Sequence, residues 1–335
     1  MKKRPVAIAL SALTTVMLSA MTMAGTAQAS PGGSSDSVGV NSLSSNSLGS
    51  SSVSSGEGRS GGHSPRAQAA QLVTMGDSFT ANGHVRAAQL VHSGVPQELL
   101  SSSGSGSSTS KLMPVEIGVN GCGQDPQNWP RLLAEQTNRS LADYSCNAAK
   151  SSNVVEDQLD QAIRDGALGA ETQEVIVAVG GMDLQGAFTG GLLNFPMPFP
   201  QKLIDDYNAR FEHLAARVRE VAPNARITLP SYLSISDEAS RMCMVNVIPN
   251  QPLGLVVPGA SLIEEQIANV QRDAANRIGA RFVDVQAATK GHGTCAPDAQ
   301  RYVSAVLVDR TSPKHTMSMH PTVEGSRAIA RELAK

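Results

Sequence analysis

The chain has 335 residues, a formal charge of −2 and 41 % hydrophobic residues, enough for one large domain or two small ones with a globular core. The near-neutral charge argues against a nucleic-acid binder, which carries a basic excess on one face, and 3 % aromatic residues leave few stacking platforms for sugars or bases.

Along the chain, MKKRP supplies positive charge, VAIALSALTTVMLSAMTMAG an apolar run, and Ala27-Gln28-Ala29 a small-x-small site. This reads as a signal peptide over 1–29, with the mature protein starting near Ser30. A membrane anchor is the competing reading, but serines and threonines interrupt the run and a cleavage site follows it. No cysteine follows that site, which argues against a lipoprotein. Residues 30–66 are Ser/Gly-rich and unable to bury a core. They read as a tether, either carrying the domain through a cell wall or serving as a plain spacer. SSSGSGSSTS at 101–110 reads as a surface loop within the folded part, 67–335.

Five apolar runs predict strands: QLVTMG (71–76), ADYSCNA (142–148), EVIVAVGG (174–181), ARITLPSY (225–232) and ARFVDVQ (280–286). Helices are predicted at WPRLLAEQTN, SSNVVEDQLDQAIRDG, QKLIDDYNARFEHLAARVREV, ASLIEEQIANVQRDAANRIG and TVEGSRAIARELA. In the third of these, Leu203, Tyr207, Phe211, Leu214 and Val218 recur at helical spacing, which marks a core stripe. Strands alternating with helices imply an α/β sandwich with a mostly parallel sheet, whose sites form at the carboxyl ends of strands. NFPMPFP (194–200) and VNVIPNQPLGLVVPG (245–259) read as apolar loops, either walling an acyl pocket or simply packing. Cys122, Cys146, Cys243 and Cys295 point to disulfides in an exported chain, with three pairings open.

Chemistry concentrates at two places. VTMGDSFTANG sets Ser78 just after the first strand, where Gly76 permits a tight turn and Asp77 accepts from nearby amides. Taken alone, Ser78 reads first as a helix N-cap. MSMHPTVEGSRAIA sets His320 before a proline and the last helix. A serine hydroxyl attacks poorly until a base takes its proton, and histidine is the natural base near neutrality. No His-Glu-x-x-His motif and no P-loop ending occur, so no metal and no cofactor are expected. The remaining histidines read as structural or surface residues.

Together these segments resemble the SGNH (GDSL-type) hydrolases, and more narrowly their secreted actinobacterial esterases and lipases. Gly76-Asp77-Ser78-Phe79 matches the first motif, YSCNAAK the second, Gly180, Gly181 and Asp183 the third, and His320-Pro321 the last. The resemblance spans about residues 70–335 and also takes in NGCGQDPQNWPRLLAEQ and KGHGTC. It implies a three-layer, flavodoxin-like fold with a five-stranded sheet. It makes Ser78 the nucleophile and His320 the base, with an oxyanion hole from the amides of Ser78 and Ala148 and from the third motif around Gly181. It also implies the pairings Cys122–Cys146 and Cys243–Cys295.

Three departures from the pattern bear on activity. Ala148 stands where the family has glycine, which preserves the N–H. Met182 stands where it has asparagine, and a thioether donates no hydrogen bond. Asn147 or Asn82 is the expected substitute donor. Met317 stands where it has the aspartate that orients the histidine, so a main-chain carbonyl of the Met317 loop, or Asp309, is expected to do so. Asp77 and Asp183 are expected in support. The expectation is a secreted, monomeric serine ester hydrolase acting on an acyl-ester small molecule or lipid, with possible cell-envelope association. The alternatives are an acyltransferase of the same fold and a degenerate ligand-binding member.

Overall fold

The computed structural model describes residues 69–84, 115–184, 198–312, 314–315 and 317–335. The expected signal segment, the tether and the 101–110 loop lie outside the described residues, as does most of 194–200.

Apart from a two-stranded ribbon of β2 Glu116–Ile117 and β3 Gly123–Gln124, the principal sheet has five parallel strands: β1 Leu72–Gly76, β4 Leu141–Asp143, β5 Glu174–Ala178, β6 Arg226–Pro230 and β9 Arg281–Val283. Their order is β4-β1-β5-β6-β9. This is the flavodoxin-like winding, which reverses direction beside β1. β1 and β5 lie at the middle and are buried along their whole length. Such strands carry apolar residues on both faces because helices cover both.

The two-residue period of a strand divides the core. Val73, Met75, Val175 and Val177 point to one face, with Tyr207, Phe211, Leu214 and Val218 of α5, Gln201–Val221, and with Val270 and Ala274 of α6, Ala260–Arg277. Leu72, Ile176 and Ala178 point to the other, with Trp129 and Leu133 of α2, Trp129–Thr137, with Val285 of α7, Val285–Ala288, and with Ile329, Ala330 and Leu333 of α8, Val323–Leu333. The stripe expected on α5 is thus core, and the molecule is a three-layer α/β/α sandwich. Asn128 and Thr322 cap α2 and α8, accepting from the N–H groups of Arg131 and Gly325.

Helix α3 begins at Ser151–Asn153, passes through a π segment at Val154–Gln158, and continues as Leu159–Arg164. The π segment carries Gln158, whose amide brackets Gly76: Gly76 N–H donates to Oε1 at 2.9 Å and Nε2 donates to the Gly76 carbonyl at 3.0 Å.

One expectation is corrected. The apolar stretch 245–259 is not a loop but much of a hairpin. β7 Arg241–Asn246 and β8 Leu253–Val256 form a second sheet with β10, Val308–Asp309. The alternation that marks a strand is blurred there by Pro249, Pro252 and Gly254. Disulfides join Cys122–Cys146 and Cys243–Cys295. Among the described residues, no helix is long and apolar enough to cross a membrane.

Candidate active site

The first motif turns sharply from β1 into α1, Ser78–Ala81. A Cβ on Gly76 would collide with the Thr80 side chain and the Ala178 carbonyl, so only glycine fits this turn. Asp77, not Ser78, is the N-cap: its Oδ1 accepts from Phe79 N–H at 2.9 Å. Ser78 is therefore the first helical residue, and its hydroxyl is not spent on capping.

That hydroxyl meets His320. Ser78 Oγ and His320 Nε2 lie 2.8 Å apart, both residues more than nine-tenths buried. The other ring nitrogen, Nδ1, lies 2.8 Å from the Ser318 carbonyl. A carbonyl only accepts, so Nδ1 carries the proton and Nε2 presents its lone pair to the serine. This is the geometry a hydroxyl needs to hand its proton to an imidazole. Burial pushes His320 down to about 4, with the Ser318 carbonyl pulling partly back. The ring is therefore neutral, and able to accept, across the neutral range.

The carbonyl at the ring is that of Ser318, a main-chain carbonyl of the Met317 loop as expected, though not Met317's own, and the alternative, Asp309, does not reach the ring. The Met317 carbonyl accepts from Ser304 Oγ at 2.7 Å. Asp309 is buried in a separate network, accepting from Arg301 and from the N–H groups of Ala305 and Ser312. The chain can aim the Ser318 carbonyl back at the ring because Met319 adopts a left-handed conformation, φ 59°.

The second motif is held against the first. Cys146 N–H donates to the Gly76 carbonyl at 3.0 Å, and Asn147 Nδ2 to the Gly83 carbonyl at 2.7 Å. Ala148 follows at φ 63°, which explains glycine as the family's usual residue there. Asn82 Nδ2 donates to the Pro321 carbonyl at 2.9 Å, tying the end of α1 to the histidine loop. Each asparagine thus spends an amide donor on a backbone carbonyl and braces the loops around the nucleophile turn.

At the third motif, Gly181 and Asp183 stand in α4, Gly181–Leu184. Asp183 accepts from Ser151 N–H at 2.8 Å and from Ser151 Oγ at 2.6 Å, bracing the second motif's helix against the third. Gly181 N–H donates to the Tyr232 hydroxyl at 2.8 Å, so it is not free to serve a developing oxyanion, contrary to expectation. The Tyr232 hydroxyl in turn donates to Asp77 Oδ2. Burial raises the Asp77 carboxyl to about 7, against the Tyr232 and Phe79 hydrogen bonds, which pull it down. Tyr232 also packs edge-on to Phe79, whose ring lies 4.6 Å from that of His320. Tyr232 and Gln158 escaped the sequence reading, since nothing in their local pattern distinguishes them from other strand-end and helix residues. His292, which lies in the KGHGTC segment, stacks on Tyr302 and bonds the Gln300 carbonyl, a structural role.

The doubly wound sheet thus brings a buried serine at the end of its first strand to a histidine from the last loop, an arrangement that fits a hydrolase. Residues 74–328 match the sequence profile of the GDSL-like Lipase/Acylhydrolase family, and the chain belongs to that family. Lipase 2 of Streptomyces coelicolor is 28 % identical over 251 residues, covering 67 % of this chain and 80 % of that protein. Phospholipase A1 from Streptomyces albidoflavus NA297 superposes with a TM-score of 0.48 at 19 % identity, covering 79 % of this chain and 98 % of its own. An extracellular lipase from Streptomyces rimosus superposes at 0.46 and 20 %, covering 78 % and 97 %.

Proposed function

We propose that the protein is a secreted ester hydrolase working through an acyl-enzyme on Ser78, with His320 as general base. The observation that carries this reading is the pair of contacts on one imidazole, Ser78 Oγ at Nε2 and the Ser318 carbonyl at Nδ1, each at 2.8 Å. Ser78 Oγ attacks the ester carbonyl carbon and gives its proton to His320 Nε2. The amides of Ser78 and Ala148 stabilise the oxyanion. His320 then protonates the leaving alcohol as the acyl–oxygen bond breaks. Water, deprotonated by the same nitrogen, attacks the acyl-enzyme and releases the acid. The Ser318 carbonyl fixes the tautomer throughout, although it stabilises imidazolium less than a carboxylate does.

Two disulfides support export, with residues 1–29 as the signal segment and 30–66 as the tether to the cell envelope or beyond. The substrate is an acyl ester, either a small molecule or a lipid, and the working unit is a monomer. Exposed Val247, Ile248, Leu253, Leu255 and Val256 on and around the β7–β8 hairpin offer apolar surface to an acyl chain. That hairpin packs near Met319, the residue beside the base, through Met242 and Met244.

A second reading, a ligand-binding member with little turnover, is favoured by Met182, which removes a side-chain donor. Release of p-nitrophenol from acetate, butyrate and palmitate esters separates the two. The mature domain is expected to turn over at least one of them, and Ser78→Ala to fall to the buffer rate. Equal release from both proteins would reject the acyl-enzyme.

A further inference from the structure

The turn after β5 has lost the asparagine its family uses, yet the hydrogen bonds on either side of Gly180 are firmly held. The Val179 carbonyl accepts from the Tyr207 hydroxyl at 2.8 Å and from Gln271 Nε2 at 3.2 Å. Two residues on, Gly181 N–H finds the Tyr232 hydroxyl at 2.8 Å. That hydroxyl joins the turn to the nucleophile, beside the Asp77 N–H that donates to the Ala178 carbonyl at 3.2 Å: it accepts from the third motif and donates to Asp77, the cap of the helix that begins at Ser78. A phenol oxygen can do both at once, since it has one proton and two lone pairs.

We propose that Tyr232 is a positioning residue for catalysis, its hydroxyl locking the first and third motifs together so that Ser78 is presented to His320 in one geometry. This deepens the acyl-enzyme reading and rests on it for its kinetic consequence. Tyr232 acts by favouring the ionised form of Asp77 against the burial that opposes it. An ionised carboxylate grips the Phe79 N–H more strongly than its acid form does, and Phe79 N–H is the first amide after the nucleophile. The titratable groups that face Asp77 come from three elements. They are Tyr232 from the segment after β6 and Tyr207 from α5, both neutral phenols, and Asp183 from α4, whose charge opposes ionisation. His320 approaches the same helix from the C-terminal loop, through Ser78.

Tyr232→Phe removes the hydroxyl and keeps the ring against Phe79. Its kcat at pH 7 is expected to fall about tenfold with KM within about twofold, as for one lost hydrogen bond acting in the transition state. Asp77→Asn retains an oxygen for Phe79 N–H but cannot titrate. If Tyr232 works through Asp77, the double variant is no slower than the slower single variant. Infrared difference spectra of the Asp77 carboxyl, taken against Asp77→Asn across pH, supply a readout that needs no turnover. The wild-type midpoint is expected near 7, and Tyr232→Phe moves it upward by about one unit or more. An unchanged midpoint, a kcat equal to or above wild type, or effects that simply multiply would each overturn the proposal. A merely structural tyrosine would lower the melting temperature and leave the midpoint where it was. If Ser78→Ala retains full turnover, the acyl-enzyme reading fails by itself, and the carboxyl titration still decides what Tyr232 does to Asp77.

Discussion

Orienting His320 with the Ser318 carbonyl gives the ring a partner that cannot be protonated in the working range. With burial holding His320 near 4, the base loses its lone pair only in acid. The final acid limb of kcat/KM is therefore expected near pH 4, well below the ordinary histidine range, with no separate limb from an orienting carboxylate; a rate–pH profile on a soluble ester checks it. Ala148 offers a second test. An L-residue at φ 63° carries a cost of about 1–2 kcal/mol that glycine does not. Ala148→Gly keeps the amide, so thermal unfolding is expected to show a gain of up to about 1 kcal/mol, reduced by glycine's greater freedom in the unfolded chain, with turnover undiminished. Ser78 and His320 were legible in the sequence because their motifs are local and ordered. The carbonyl that orients the ring was legible to its loop but not to its residue: carbonyls carry no residue identity, and the aim of Ser318's depends on the left-handed turn at Met319, a residue type that does not announce one.

Strands and helices were legible wherever one period dominated. EVIVA is apolar on both faces and became the fully buried β5, and the stripe on α5 became core. The β7–β8 hairpin was not legible, because prolines and a glycine masked its alternation. Nor was the π segment, since SSNVVEDQLDQAIRDG has the ordinary pattern of an α-helix and the one extra residue per turn leaves no trace in composition. Yet that segment carries Gln158, which holds both polar groups of the Gly76 peptide beneath the nucleophile turn. Gln158→Ala leaves a buried N–H without an acceptor. A loss of about 1–3 kcal/mol in unfolding free energy is expected, together with a lower kcat, whereas Gln158→Glu restores only the acceptor and recovers part of each.

For the molecule as a whole, the two disulfides divide the labour. The Cys122–Cys146 bridge closes a separation of 24 residues and the Cys243–Cys295 bridge one of 52, worth about 3.5 and about 4 kcal/mol by loop entropy. Their stabilities are thus similar, but their surroundings differ. Cys146 is bonded to the Gly76 carbonyl and stands two residues before Ala148, whereas Cys243 lies in the second sheet. Replacing the first pair by serines is expected to lower both the melting temperature and kcat. Replacing the second is expected to lower the melting temperature alone, with turnover at room temperature retained. The pairing of Ser78 with His320 also spans 242 residues, from the first strand of the sheet to the loop before its last helix. A nascent chain emerging from its amino end holds an unarmed serine through almost the whole of its synthesis. On the proposed mechanism, ester cleavage would switch on only when the finished fold brings the histidine home, and an unfinished chain would be inert toward the esters of the cell that makes it.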